Sequence, residues 1–235
     1  MKVLRASNYQ DLSQKAATLI AAQIIRKPDS VLGLATGSTP EGVYTELIAM
    51  NKQGGIDFAG VSTLNLDEYY GLPGEHPQSY YYYMRQKLFD HVNLNPGNTH
   101  LPSGVASDAQ QECKRFEELI QRLGGIDLQL LGIGRNGHIG FNEPGESFPP
   151  VTHLTDLTED TLDANARFFA PGEEVPTQAI SMGIGTIMRA KSILLIASGP
   201  GKKWALDKTI NAPVTPQVPA SVLQFHPDVT IIYCE

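Results

Sequence analysis

Apolar residues in this chain fall in short, nearly continuous runs separated by longer amphipathic stretches. SVLGLA (30–35), VSTLNL (61–66), IDLQLLGIG (126–134), SILLIAS (192–198) and DVTIIYC (228–234) have the length and continuity of strands buried on both faces. Between them, helical spacing of apolar positions predicts helices near 8–26, 40–53, 78–90, 107–123, 183–190 and 201–210. Strands alternating with helices predict an α/β fold, a three-layer α/β/α sandwich built on a Rossmann-like, mostly parallel sheet. No repeat, charge run or Pro/Ser-rich linker divides the chain. Residues 1–235 therefore read as one domain, with a less regular, lid-like insertion around 144–178.

Composition narrows the partners. The formal net charge is −7 and the pI near 5.4, which argues against a nucleic-acid or anionic-membrane surface. An anionic ligand would have to be met locally, by a few cations or backbone N–H groups. Cys113 and Cys234 are far apart and in no CxxC pattern, so reduced thiols are the simplest reading. The apolar run Ala16–Ile25 is broken by Gln23 and preceded by Asp11 and Lys15. That is an amphipathic helix rather than a signal peptide, and no run approaches a membrane span. A soluble, cytoplasmic protein is expected.

In open parallel sheets, ligands bind at the carboxyl ends of the strands, and three of the loops there carry chemistry. Thr36-Gly37-Ser38-Thr39-Pro40 follows the first run; Thr39 is placed to cap a helix and Pro40 to sit in its first turn. Free N–H groups and hydroxyls at such a turn suit an anion, although a plain capped turn reads the same way. The loop matches neither GxGxxG nor GxxxxGK[ST], so no dinucleotide or Walker-type site is expected.

The second run leads into Asp67-Glu68-Tyr69-Tyr70-Gly71. A carboxylate at a strand end can act as a general base; it can equally cap a helix or face solvent. The third leads into LGIGRNGHIGFNEPG (131–145), with five glycines around His138, Asn136 and Glu143. An imidazole titrates near neutrality, and Asn136 and Glu143 are close enough in sequence to fix its tautomer. A packed, structural histidine is the alternative. One His with scattered acids lacks metal-ligand spacing, so neither a metal nor another cofactor is expected. The four tyrosines at 80–83 spread around a helix and are given no chemistry.

Together LATGSTP (34–40), LNLDEYYGL (64–72), HPQSYYYYM (76–84), LGIGRNGHIGFNEPG (131–145), NARFF (165–169) and VPASVLQFHPDVTII (218–232) resemble the glucosamine-6-phosphate deaminase family. Its superfamily includes the 6-phosphogluconolactonases, which share the Gly-His element without the FNEPG continuation. The resemblance spans roughly residues 3–233. It implies conversion of glucosamine 6-phosphate and water to fructose 6-phosphate and ammonia, in amino-sugar catabolism. By the same resemblance, Asp67 matches the enolisation base and His138 the ring-opening acid/base, assisted by Glu143 and Asn136. Many relatives carry Asp at position 136, so this chain falls in an Asn-bearing branch.

Gly37, Ser38 and Thr39 match the phosphate-binding turn, with Arg167 and a lysine of SGPGKKWA, Lys202 in preference to Lys203, supplying positive charge. Relatives that form allosteric hexamers continue well past the last strand, which implies here a non-allosteric monomer. A lactonase, using the same phosphate site and histidine, is the alternative enzyme; LDEY and FNEPG weigh against it. A sugar-phosphate-sensing regulator would need a basic helix-turn-helix module, which the sequence lacks.

Overall fold

The structure, a computed structural model, describes residues 1–158, 161–162, 169 and 175–235. In chain order its strands are β1 (Lys2–Arg5), β2 (Val31–Leu34), β3 (Ser62–Asn65), β4 (Asp67–Tyr70), β5 (Thr99–His100), β6 (Leu128–Leu131), β7 (His153–Asp156), β8 (Gln178–Ser181), β9 (Ser192–Ser198) and β10 (Val229–Cys234). Its helices are α1 (Tyr9–Arg26), α2 (Glu41–Lys52), α3 (Tyr80–Lys87), α4 (Ala109–Arg122), α5 (Ile184–Ile187) and α6 (Lys203–Asn211).

Helix starts follow local chemistry. The side chains of Asn8, Ser79 and Asp108 each accept a hydrogen bond from a first-turn N–H of α1, α3 and α4, satisfying donors that would otherwise be orphaned. The cap expected of Thr39 is not formed: Pro40 occupies the N-cap of α2, without a side-chain bond. Its fixed φ suits the helix start, and the Thr39 hydroxyl makes no hydrogen bond to a described residue.

Among the described residues, seven strands form one sheet in the order β1-β10-β9-β6-β2-β3-β5, and all its pairings are parallel. Every residue of β2 and β6 is buried, so both faces of the sheet are covered, as the unbroken apolar runs require. Helix α1 buries Leu12, Ala16, Ala17, Ile20 and Ile24 and packs on β9, β10 and α2. Truncating one such Leu or Ile to Ala would cost about 2–5 kcal/mol.

The sequence reading differs from the structure at the margins. The run 126–134 is a strand only from Leu128 to Leu131; its glycine-rich end leaves the sheet. Helix α3 stops at Lys87 and is followed by a 3₁₀ turn, Phe89–His91. The expected loop at Asp67–Tyr70 is a strand. It belongs to a second sheet, β4-β8-β7, whose pairings are antiparallel.

Strand order places the site. From β2 the chain moves to β3 on one side, whereas β6, β9 and β10 lie on the other. Loops leaving the carboxyl ends of β2 and β6 therefore diverge, opening a crevice at a topological switch point.

Candidate active site

Four loops share this edge of the sheet. In sheet order they follow β9 (Gly199–Lys202), β6 (132–143), β2 (35–40) and β3 (66–67).

The loop after β6 holds the imidazole. Nδ1 of His138 lies 3.1 Å from Oε2 of Glu143, whose carboxylate is largely buried. The tautomer with hydrogen on Nδ1 donates to Glu143 and leaves Nε2 free to accept. Asn136 ties the pair together: its Nδ2 donates to Glu143 Oε2 at 2.7 Å, and its Oδ1 accepts the His138 backbone N–H at 3.2 Å. Thr161 Oγ1 donates to the other carboxylate oxygen at 2.7 Å. Burial pushes the Glu143 carboxyl up, but the bond and charge of His138, with Thr161 and Asn136, outweigh it and hold Glu143 at about 2. Glu143 is thus a fixed anion that orients the ring.

Two glycines answer for the poverty of side chains in this loop. A Cβ on Gly134 would stand 2.3–2.5 Å from the His138 ring, so the imidazole lies against bare backbone. Gly140 has φ +57°, and a Cβ there would meet Oδ2 of Asp67 at 3.4 Å. The histidine loop therefore passes directly against the Asp67 carboxylate, which brings two groups 71 positions apart in sequence into one site.

Asp67 opens β4 opposite Ser181 of β8. It is 5% exposed and accepts no hydrogen bond among the described residues. Burial, then the adjacent Glu68 charge, push its carboxyl up to about 8. Glu68 is held differently. It accepts the backbone N–H groups of Tyr69, Tyr80 and Tyr81 at 2.8–2.9 Å, the last two from the first turn of α3. Of the paired acids, one caps a helix and the other has no hydrogen-bond partner among the described residues.

The turn after β2 is braced by tyrosines. The Tyr83 hydroxyl donates to Gly37 O at 2.6 Å. The Tyr9 hydroxyl contacts Ser38 O and Thr39 O at 3.0 and 3.1 Å and accepts the Gly42 N–H at 2.8 Å. Three successive carbonyls are thereby turned onto tyrosines, while the N–H groups of Gly37, Ser38 and Thr39 have no acceptor among the described residues. Such a row of free donors at a helix N-terminus suits an anion.

At the end of β9, Lys202 is half-buried and Lys203 exposed. Burial, then the Arg135 charge, hold the Lys202 ammonium below its ordinary value.

A family model described as glucosamine-6-phosphate isomerases/6-phosphogluconolactonase matches residues 5–232. The chain belongs to that family. Glucosamine-6-phosphate deaminase from Halothermothrix orenii is 58% identical over 232 residues, covering 99% of this chain and 96% of that protein. The enzyme of the same name from Lachnoclostridium phytofermentans is 58% identical over 234 residues, covering 100% and 99%. A solved monomeric glucosamine-6-phosphate deaminase superposes with a TM-score of 0.97 at 47% identity, covering 100% of this chain and 98% of that one. A 6-phosphogluconolactonase from Thermotoga maritima superposes at 0.78 and 20% identity, covering 99% and 98%, a likeness of fold.

Of the residues matched to the deaminase family from sequence, Asn136, His138 and Glu143 are hydrogen-bonded together, Asp67 lies against Gly140 of the same loop, and Gly37–Thr39 and Lys202 line the same edge. Arg167 and much of the expected lid (159–160, 163–168 and 170–174) lie outside the described residues. The described part of that insertion contributes β7 to the second sheet and Thr161 to Glu143. Sequence reading passed over Tyr9, Tyr83, Thr161 and Arg135. The tyrosines contact the turn from 29–30 and 46 positions away, and no local pattern encodes such a bond.

Proposed function

We propose that this chain is a glucosamine-6-phosphate deaminase, forming fructose 6-phosphate and ammonia from glucosamine 6-phosphate and water. The observation that carries the reading is the contact of a buried carboxylate with the loop of an oriented imidazole, beside a turn whose N–H groups have no acceptor among the described residues. The 58% identity to proteins of that name supports it.

His138 takes the anomeric hydroxyl proton and returns one to the ring oxygen, opening the sugar to its C1 aldehyde. Asp67 then removes the C2 proton, acidified by the adjacent carbonyl, and a neutral enolamine forms as a proton passes from the C2 ammonium to O1. The same proton is delivered to C1, leaving an imine at C2. Water adds to C2 and ammonia departs, giving the ketone. Two groups serve because the two proton transfers differ. Moving a proton between oxygens suits an imidazole near neutrality. Removing one from carbon needs a stronger base, and a carboxyl pushed up to about 8 is strong for its class.

Gly37, Ser38, Thr39, Lys202 and Arg167 hold the phosphate in this account, and the segment 144–178 closes over the sugar. Residues 1–235 act as one domain and as a monomer, without metal or other cofactor. Incubation with glucosamine 6-phosphate, assaying ammonia and fructose 6-phosphate together, tests the reading. Equimolar release is expected. Hydrolysis of 6-phosphogluconolactone with no ammonia from the amino sugar would replace it with the lactonase.

A further inference from the structure

Arg135 and Lys202 stand side by side at the ends of neighbouring strands β6 and β9. A Cβ on Gly201 would lie 3.6 Å from the Arg135 Nε, so the guanidinium rests against the turn that carries Lys202. Lys202 feels that charge. Neither cation has a carboxylate within ion-pair distance among the described residues. Arg135 makes no hydrogen bond to a described residue.

Arg135 is exposed and Lys202 half-buried, so solvent screens their repulsion, yet no acid is placed beside them among the described residues although the chain has 25 Asp and Glu against 18 Lys and Arg. The pairing becomes favourable once an anion sits between them. The next strand beyond β6 is β2, whose turn offers the three free N–H groups.

We infer that Arg135 is a phosphate ligand and a determinant of specificity for phosphorylated sugar, closing the anion site from the β6 side opposite the Gly37–Thr39 turn. The guanidinium fork binds two phosphate oxygens at once, which the compact ammonium of Lys202 does not. Arg135 also lies three positions before His138 on one loop. A bound phosphate therefore fixes the loop that carries the acid/base, coupling capture of the phosphate to placement of the imidazole.

The inference rests on the proposed phosphate site, and its test has two readouts. Inorganic phosphate is titrated calorimetrically into the whole wild-type protein, Arg135→Ala and Arg135→Lys, with no turnover involved. Kinetics on glucosamine 6-phosphate and on glucosamine are measured alongside. Arg135→Ala should weaken phosphate binding and raise KM for the phosphorylated sugar by roughly 10- to 100-fold, the range for a lost hydrogen bond to a charged group. Its kcat/KM on glucosamine should stay at the wild-type value, and Arg135→Lys should fall between.

Unchanged phosphate affinity in Arg135→Ala would overturn the assignment. So would an equal loss on both sugars, which marks a disturbed histidine loop instead. Absence of deamination by the wild type, with phosphate binding that still depends on Arg135, would overturn the deaminase reading and leave the anion site standing.

Discussion

Two aspartates lie buried at opposite edges of the same parallel sheet, and the described residues give hydrogen-bond partners to only one. Asp127, just before β6, is 4% exposed; Asp67, just beyond β3, is 5% exposed. Asp127 accepts bonds from Lys27 at 2.6 Å, Lys191 at 2.7 Å and the Val31 backbone N–H at 2.8 Å. Burial pushes its carboxyl up, but Lys191, Lys27 and Val31 more than offset that and hold it below the ordinary range. Asp67 has no such partners among the described residues; burial and then the neighbouring Glu68 charge push it up.

The amino edge of the sheet thus carries a closed ion cluster that pins the starts of β2, β6 and β9. Among the described residues, the carboxyl edge carries an acid, two cations and three N–H groups without partners. Arg135, Gly37 and Ser38 are exposed and Lys202 and Thr39 half-buried, so these groups stay open to a ligand, and their concentration at one edge marks where an anionic one fits.

Exchanging each aspartate for asparagine should separate the two edges most sharply. Asp67→Asn should lower the rate of ammonia release by about 10²–10⁴-fold, the usual cost of a positioned base, with no loss of stability at neutral pH. Asp127→Asn should leave kcat per folded molecule near wild type and cost about 1.5–3 kcal/mol of stability, as for lost charge-assisted bonds. Ammonia assays and urea unfolding of both variants check this. A destabilised but active Asp67→Asn would invert the comparison.

The cationic side of the carboxyl edge gives the next effect. Lys202→Ala should raise KM for glucosamine 6-phosphate by roughly 10-fold or more, as expected for a lost charged contact. Lys203→Ala, exposed on α6, should change it little. Equal effects would mean that the turn after β9 presents the other lysine.

The pH dependence follows the same division. A base must be ionised to act, so kcat/KM should rise with pH towards the value of about 8 set by burial and the Glu68 charge. Glu68→Gln removes that charge and should move the limb to lower pH. For stability the signs oppose. The folded state keeps the Asp67 proton up to about 8, whereas the unfolded chain releases it near the ordinary 3.8. Asp67 therefore makes stability fall as pH rises between those values. Asp127 is lowered in the folded state, so its contribution is present above the ordinary carboxylate value and is lost as pH falls below it. Unfolding midpoints from pH 4 to 9 should show a flatter profile in Asp67→Asn; a profile identical to wild type would contradict the assignment.

The smallest expected effect is none. Among the described residues no three His, Cys, Asp or Glu side chains gather as metal ligands. Dialysis against a strong chelator should leave deamination unchanged; activity restored by a divalent ion would place a metal in the account.

What could be read from sequence follows from how each element is held. Strands β2, β6, β9 and β10 are covered on both faces and stand out as apolar runs. Strand β1 is an edge strand whose four residues are all exposed, and β5 has two residues; neither needs such a run. Strands β4, β7 and β8 read DEYY, HLTD and QAIS. They form a sheet through partners distant in sequence, so no local pattern declares them. The glycines around His138 were legible because close approach of backbone and ring leaves a mark in composition. The satisfaction of Asp127 and the isolation of Asp67 were not: each depends on what the fold brings, or fails to bring, within 3 Å.

Hydrogen exchange at C1 of fructose 6-phosphate in heavy water, with ammonium present to form the C2 imine, reads the proton transfer assigned to Asp67 without requiring net turnover. The wild type and Asp127→Asn should incorporate deuterium at C1, and Asp67→Asn should lose the exchange while still binding the sugar phosphate. Exchange by Asp67→Asn at the wild-type rate would show that the buried Asp67 carboxylate is not the base.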